Sequence, residues 1–130
     1  MALAVAEPHL AKRRRSSNLP NMFPHVSHAA SLPWQPGPYP GVELCVLHRN
    51  GDTGGVTVLR KFHAGVTVPA HTHPLANETV YVLEGEWVED GVTYGPGTCL
   101  FAPKGVRHGP HQARGEVVSL TVFDGPLTVA

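Results

Sequence analysis

The sequence is short of thiols, of long apolar runs and of net charge, and each shortage excludes a class of protein. Its two cysteines, Cys45 and Cys99, are far apart and form no Cys-x-x-Cys, which excludes a thiolate zinc knuckle or a vicinal redox pair. Two reduced core residues are expected instead. Ten basic residues balance ten acidic ones, but four of the basic ones are Lys12 to Arg15, so from Ser16 onward six face nine, a balance of −3 with histidine neutral. That is no nucleic-acid footprint, and no nucleic-acid partner is expected. No run approaches transmembrane length, and the apolar opening Met1 to Ala6 precedes the basic run, the reverse of a secretory signal. The expectation is a soluble, cytoplasmic protein without a membrane partner. Helical periodicity of useful length is missing too.

What the chain does have is glycine, proline and histidine: 14, 13 and nine in 130 residues. So many turn formers suit an all-β sandwich or barrel, and this length holds one buried core but not two. Residues 1 to 30 show no strand pattern and read as a flexible N-terminal tail, in which Arg13 to Arg15 are candidates to hold an anionic partner or lipid head group. Residues 31 to 130 form the single domain. Ser31 to Gly41 carries four prolines around Trp34 and Tyr39. Proline brings no backbone donor, so this is an arm with Trp34 packed against the barrel or a second subunit, not a central strand.

Period-2 runs begin at Val42. Val42 to Leu47 and Gly55 to Phe62 read as a hairpin around Asn50-Gly51 and Gly54-Gly55, followed by strands at Thr67 to His73 and Glu78 to Glu84. Glu86 to Glu89 and Val92 to Tyr94 flank Asp90-Gly91, a type I′ hairpin signal. Thr98 to Ala102 and Glu116 to Phe123 complete the set. Roughly nine short strands with frequent turns imply a jelly-roll barrel. In the run from Glu78, Val80 and Val82 share one face while Tyr81 and Leu83 share the other, so both faces are expected to be covered. A homodimer would supply the cover.

The chemistry lies in two stretches. Gly65-Val-Thr-Val-Pro-Ala-His71-Thr-His73 leads through Pro74 to Glu78 and on to Gly85, and Gly97-Thr-Cys-Leu-Phe-Ala-Pro103-Lys-Gly105 leads to His108, His111 and Gln112. On a strand, residues i and i+2 point the same way about 7 Å apart, so His71 and His73 reach one ion. A turn at Pro74 to Asn77 would return Glu78 beside them, and His108 can arrive from a distant strand. The expected metal ligands are His71, His73, Glu78 and His108.

The spacing within both stretches resembles the two signature motifs of the cupin superfamily, save that Gln112 stands where the family usually has Asn. The resemblance runs from about Val42 to the C-terminus. A looser likeness, in Trp34-Gln-Pro-Gly-Pro-Tyr-Pro-Gly41 and the ending Val122-Phe123-Asp-Gly-Pro, is to the ChrR-like cupins, a group that includes zinc-binding domains of anti-sigma factors and lies near small dioxygenases. The resemblance implies a double-stranded β-helix (jelly-roll) barrel and one divalent metal per chain.

Nitrogen and oxygen donors without thiolate suit Fe(II), Mn(II), Ni(II) or Zn(II) alike, and Fe(II) is the metal expected with the dioxygenase that the resemblance implies. Four protein ligands close a tetrahedral zinc site but leave two adjacent positions open on an octahedral ion. Three readings follow. The first is an enzyme acting on a small enolisable substrate, a keto, hydroxy-keto or diketone-like compound, with O2 as co-substrate; the dioxygenase part is implied by the resemblance. In it Glu78 holds the metal or acts as base, and His111 is a second candidate for proton transfer. The second reading uses the metal only as a Lewis acid, for isomerisation, cyclisation or decarboxylation. The third is a non-catalytic cupin that senses zinc or a small ligand. Asn77 and Gln112 are candidates to orient ligands or substrate, and His63 is expected at an outward or packed strand position.

Overall fold

Two long antiparallel strands carry the fold. The computed structural model describes residues 22–130, and the tail residues Lys12 to Arg15 lie outside them. In chain order the strands are β1 (Gln35–Pro36), β2 (Val42–Arg49), β3 (Val56–Phe62), β4 (Thr67–Val68), β5 (Glu78–Glu89), β6 (Val92–Tyr94), β7 (Cys99–Ala102) and β8 (His111–Phe123). β5 pairs with β8 from Glu78 opposite Phe123 to Glu89 opposite His111. The path runs β1-β2-β3-β8-β5-β6, with β4 added to β8 and β7 to β5. β3 takes the Phe123 end of β8 and β4 the His111 end, so the sheet wraps on itself. The architecture is an all-β jelly-roll barrel.

Alternation decides what faces inward. Along β3, Val56, Val58, Arg60 and Phe62 are buried while Thr57, Leu59 and Lys61 are only partly so. One core cluster gathers Phe62, Val80, Val82, Trp87 and Val117, and a smaller one holds Val58, Ala76 and Phe123. Each of the larger side chains contributes about 2–3 kcal/mol by leaving water. Arg60 is buried with them, at 7% exposure, and is the cation of the barrel interior among the described residues.

The expected hairpins are present. β2 and β3 pair across residues 50–55, where the Asn50 side chain accepts from the amides of Asp52 and Thr53. Asp90 and Gly91 have φ of 50° and 72°, as a type I′ turn requires, and join β5 to β6. Other boundaries differ from those expected. The strand expected over Thr67 to His73 ends at Val68, because Pro69 brings no donor to the ladder. The two strands expected on either side of Gly85 are one: β5 passes through Gly85 (φ 78°) on a bulge, where a side chain would overlap the carbonyl of Glu116. The last strand starts at His111 rather than Glu116, crossing Gly115 at φ 69°. Eight strands result among the described residues, fewer and longer than expected.

The proline-rich arm joins the edge of the sheet through β1, and the Lys61 ammonium sits 4.2 Å above the Trp34 ring. His25 and Ser27, placed in the tail on sequence grounds, both donate to the Leu47 carbonyl at 2.8 Å. On the outer face, cross-strand rows join Phe101, Thr79 and Val122, and Cys99, Tyr81 and Leu120. Within one chain this face lies open, with Tyr81, Leu83, Phe101 and Val122 all exposed. Among the described residues no helix is long and apolar enough to cross a membrane.

Candidate metal centre

A backbone clamp brings the two motifs together. The amide of His71 donates to the carbonyl of His108, and that of His108 to the carbonyl of His71, both at 2.9 Å. The Gly105 amide donates to the His73 carbonyl at 2.9 Å, which fixes the turn after Pro103 beside the first motif. The result gathers three imidazoles, whose ligand nitrogens lie within 4.8 Å of one another. His71 and His73 are buried and His108 nearly so.

The hydrogen bonds of two rings decide their tautomers. Nδ1 of His71 lies 2.7 Å from the Pro69 carbonyl and Nδ1 of His73 lies 2.9 Å from the Thr128 carbonyl. A carbonyl only accepts, so both Nδ1 atoms carry a proton, and in the uncharged form of each ring Nε2 presents a lone pair. Those two Nε2 atoms face each other at 3.2 Å. Facing lone pairs repel unless a cation stands between or beside them, and burial lowers the pKa of His71, with the neighbouring histidines lowering it further against the Pro69 and Glu78 contributions. A divalent metal satisfies this donor set, and the carbonyl partners are the kind that orient metal-bound imidazoles. Ring orientation of His73 depends on the C-terminal segment, which the Thr72–Ala130 amide pair holds in place at 2.9 and 3.1 Å.

Glu78, at the start of β5, is 3% exposed and faces the same interior. Its Oε1 is 3.6 Å from Nε2 of His108, and its Oε2 is 3.5 Å from Nε2 of His73 and accepts from Nη1 of Arg60 at 3.0 Å. The carboxylate lies outside the 4.8 Å histidine group, one oxygen on Arg60 and the other beside His108. Burial pushes the Glu78 carboxyl up, but Arg60 and then His73 and His108 outweigh it and hold it at about 2. Glu78 is therefore ionised at neutral pH.

His111 faces inward from β8. Its ring stacks on Trp87 with centroids 3.9 Å apart, and lies 5.3 Å from Phe62 and 6.4 Å from His71. Burial first, then the charge of Arg60, push it down to about 3, so the ring is neutral. Neither ring nitrogen has a hydrogen-bond partner, and Nδ1 is 3.7 Å from Oε1 of Glu89, itself pushed up by burial. Asn77 does not reach the site: it bonds Asp124 through its amide and side chain and accepts from the Lys104 amide, tying three loops together. Gln112 is exposed on β8, and His63 pairs with Glu43 at the surface at 2.7 Å.

Sequence reasoning passed over Arg60. The signal was available, because a period-2 reading puts Arg60 on the face of Val56, Val58 and Phe62. Its Nε donates to Oγ1 of Thr121 at 3.1 Å and its Nη1 to Glu78, while the guanidinium carbon lies 5.3–5.6 Å from the rings of Phe62, Trp87 and Phe123. Beside the histidines is a cavity of about 20 Å³, roomy enough for one water-sized group. Arg60, His71, His73 and His111 form its polar wall, and Tyr39, Phe62, Phe123 and Leu127 are among its apolar ones.

Comparison with known proteins places this architecture. A family model described as the ChrR Cupin-like domain matches residues 24–128, nearly the whole described chain. The chain belongs to that family. The match reaches further toward the N-terminus than the two motifs and takes in the proline-rich arm. A comparison with curated proteins finds no match. Among solved structures this cupin is similar to the acetylacetone dioxygenase from Acinetobacter johnsonii, at 21% identity over 79% of this chain and 74% of that one, with a TM-score of 0.65. It is also similar to the polyketide cyclase RemF from Streptomyces resistomycificus, at 23% identity over 80% and 82% of the two chains, with a TM-score of 0.63. An RmlC-like cupin from Ralstonia eutropha matches at 19% identity over 79% and 76%, with a TM-score of 0.63. At such identities the likeness shows the fold alone.

Proposed function

We propose that this cupin is a mononuclear metal-dependent enzyme acting on a small enolisable keto, hydroxy-keto or diketone-like substrate, with O2 as co-substrate and Fe(II) as the metal. The observation that carries the reading is the pair of lone pairs on His71 and His73 facing each other at 3.2 Å inside an apolar barrel. His71, His73 and His108 hold the ion, and Glu78 offers Oε1 to it while Arg60 keeps Oε2. When bound, the ion lowers the pKa of the enol, polarises its carbonyl and, if redox-active, gives access to O2 chemistry.

The chain's own residues do the rest. Carbonyls of Pro69 and Thr128 keep the Nε2 lone pairs of His71 and His73 turned inward. Tyr39, Phe62, Phe123 and Leu127 give the cavity apolar walls, and such low-polarity surroundings strengthen the charge interactions beside it. His111 stays neutral beside it. Glu78, held ionised by Arg60, is the available carboxylate base next to the histidines.

The acetylacetone dioxygenase likeness supports the O2-dependent reading and the RemF likeness a cyclase or isomerase at the same site. Oxygen uptake by the Fe(II)-loaded protein across diketones, flavonols and hydroxyaryl ketones separates them. Uptake with at least one class is expected, whereas turnover that proceeds anaerobically with zinc would replace the dioxygenase by the non-redox enzyme. The exposed outer face of Tyr81, Leu83, Phe101 and Val122 supports assembly as a homodimer, and two unpaired cysteines suit a reducing cytoplasm.

A further inference from the structure

The cavity at the histidines measures about 20 Å³, the room of one water, and an enolisable carbonyl compound does not fit it as it stands. For such a substrate to reach the histidines a wall has to move. His71 and His73 are clamped, and of the remaining walls all but Pro38, Tyr39 and Leu127 stand in strands β2, β3, β4 and β8. Leu127 is pinned on both sides, through Asp124 to Asn77 and through the Thr128 carbonyl to His73. Pro38 and Tyr39 remain.

These two sit in the turn that joins β1 to β2. Two backbone bonds close it, from the Gly37 amide to the Val42 carbonyl at 2.7 Å and from the Val42 amide to the Tyr39 carbonyl at 3.2 Å. Gly37 and Gly41, the latter at φ 78°, bracket Pro38-Tyr39-Pro40, so a stiff piece stands between two residues of free backbone. The half-buried Tyr39 ring packs on the cluster that includes Phe62 and Trp87, with its centroid 5.6 Å from that of His71. Against the same turn lies an open cleft of about 430 Å³, a size within the range of small-molecule sites. Pro38, Tyr39 and Val42 line both spaces. Pro36, Pro40 and Gly41 extend the carbon-rich lining of the cleft, and the Glu43–His63 pair supplies polar groups.

We infer that the Pro38–Pro40 turn is the movable wall of the metal site and that the cleft seats the aryl end of the substrate. When Tyr39 swings away from His71 the two spaces join, and a ketone oxygen reaches the histidines. The inference rests on the metal-dependent reading above and narrows its substrates to aryl-substituted diketones and hydroxyaryl ketones. A flat apolar ring buries itself against three prolines and a tyrosine, whereas a small aliphatic diketone leaves the cleft unused.

Amide chemical-shift titration of the full-length chain, metal-free and zinc-loaded, with benzoylacetone and with acetylacetone tests this, with zinc content measured before and after. Benzoylacetone is expected to shift the amides of Gly37, Tyr39, Gly41 and His63 in both forms, and to bind the zinc-loaded chain at least about tenfold more tightly than acetylacetone. Stopped-flow mixing of benzoylacetone with the zinc-loaded chain tests the wall itself. Tyr39→Ala should speed binding at least about tenfold, because the wall no longer has to move first, while Tyr39→Phe stays within about twofold of the wild type. If Tyr39→Ala fails to fold, Tyr39→Leu keeps an apolar filler without the ring and should speed binding by at least about threefold. Shifts confined to amides away from the cleft, absence of binding by either compound, or a binding rate that loss of the ring leaves unchanged overturns the inference. A chain that takes up no zinc sinks the metal-dependent reading, and the same four amides in the metal-free titration then decide for or against the cleft.

Discussion

The two ends of one small cavity treat histidine in opposite ways, although the His71 and His111 rings are only 6.4 Å apart. At one end His71 and His73 are each anchored through Nδ1 to a carbonyl, at 2.7 and 2.9 Å, and their Nε2 atoms converge. At the other end His111 has no hydrogen bond at either nitrogen and is held by stacking on Trp87. Anchored rings with converging lone pairs are built to take an ion. A ring fixed by stacking alone behaves as an aromatic wall with two free polar atoms. Arg60 and Glu78 lie between the two ends and belong to both, since Glu78 approaches His73 and His108 while Arg60 sits against Trp87 and Phe62.

Breaking the anchored end should have the largest effect. His71→Ala, His73→Ala or His108→Ala is expected to lower metal affinity by 100-fold or more in a competition assay with a chromogenic chelator, whereas His111→Phe should leave it within about threefold. Equal losses in all four would erase the distinction between the ends. Removing Thr128 to Ala130 takes away the carbonyl that orients His73 and both amide bonds to Thr72, and should weaken the metal by about 10-fold.

The joining pair comes next. Arg60→Met leaves Glu78 ionised and buried without its cation, and is expected to cost about 3–5 kcal/mol in chemical unfolding of the metal-free chain. Adding Glu78→Gln to that change should recover more than half of the loss. A double variant as unstable as the single one would mean that Arg60 acts through packing and not through charge.

Titration sharpens the contrast more gently. His111 in the folded chain is neutral down to about pH 3, while an unfolded histidine takes a proton below about pH 6.5. The unfolded state therefore binds more protons between these values, and stability falls as pH drops through that window, by about 2 kcal/mol from pH 7 to pH 5. His111→Phe should flatten this slope. Glu78 has the opposite chemistry but the same direction: its stabilisation is complete above about pH 4.5 and is lost as pH falls toward 2, so a second decline should appear there and be absent in Glu78→Gln.

Much of this was legible in the residues. Two histidines at i and i+2, a carboxylate after a proline turn and a third histidine behind Pro103 and Gly105 signal a site through spacing alone, and the clamp between His71 and His108 realises it. Asp90-Gly91 announced its turn because few pairs accept positive φ twice. Gly85 and Gly115 were harder, since a glycine that ends a strand and one that carries a bulge through it look alike in sequence. Starting the last strand at Glu116 left His111 unplaced, while the actual start pairs it with Val68 and Glu89 and turns it inward. Arg60 stayed hidden because arginine followed by lysine reads as a solvated pair, although alternation sends only Lys61 outward.

The most direct measurement is metal content by mass spectrometry on the full-length chain, purified without oxygen from iron-replete cells, alongside His71→Ala and His111→Phe. About one divalent ion per chain in the wild type and in His111→Phe, with less than about a tenth in His71→Ala, is the expected result. A wild-type chain without metal that takes none up from excess Fe(II) or Zn(II), or a content that His71→Ala leaves unchanged, would contradict a metal centre at the three histidines.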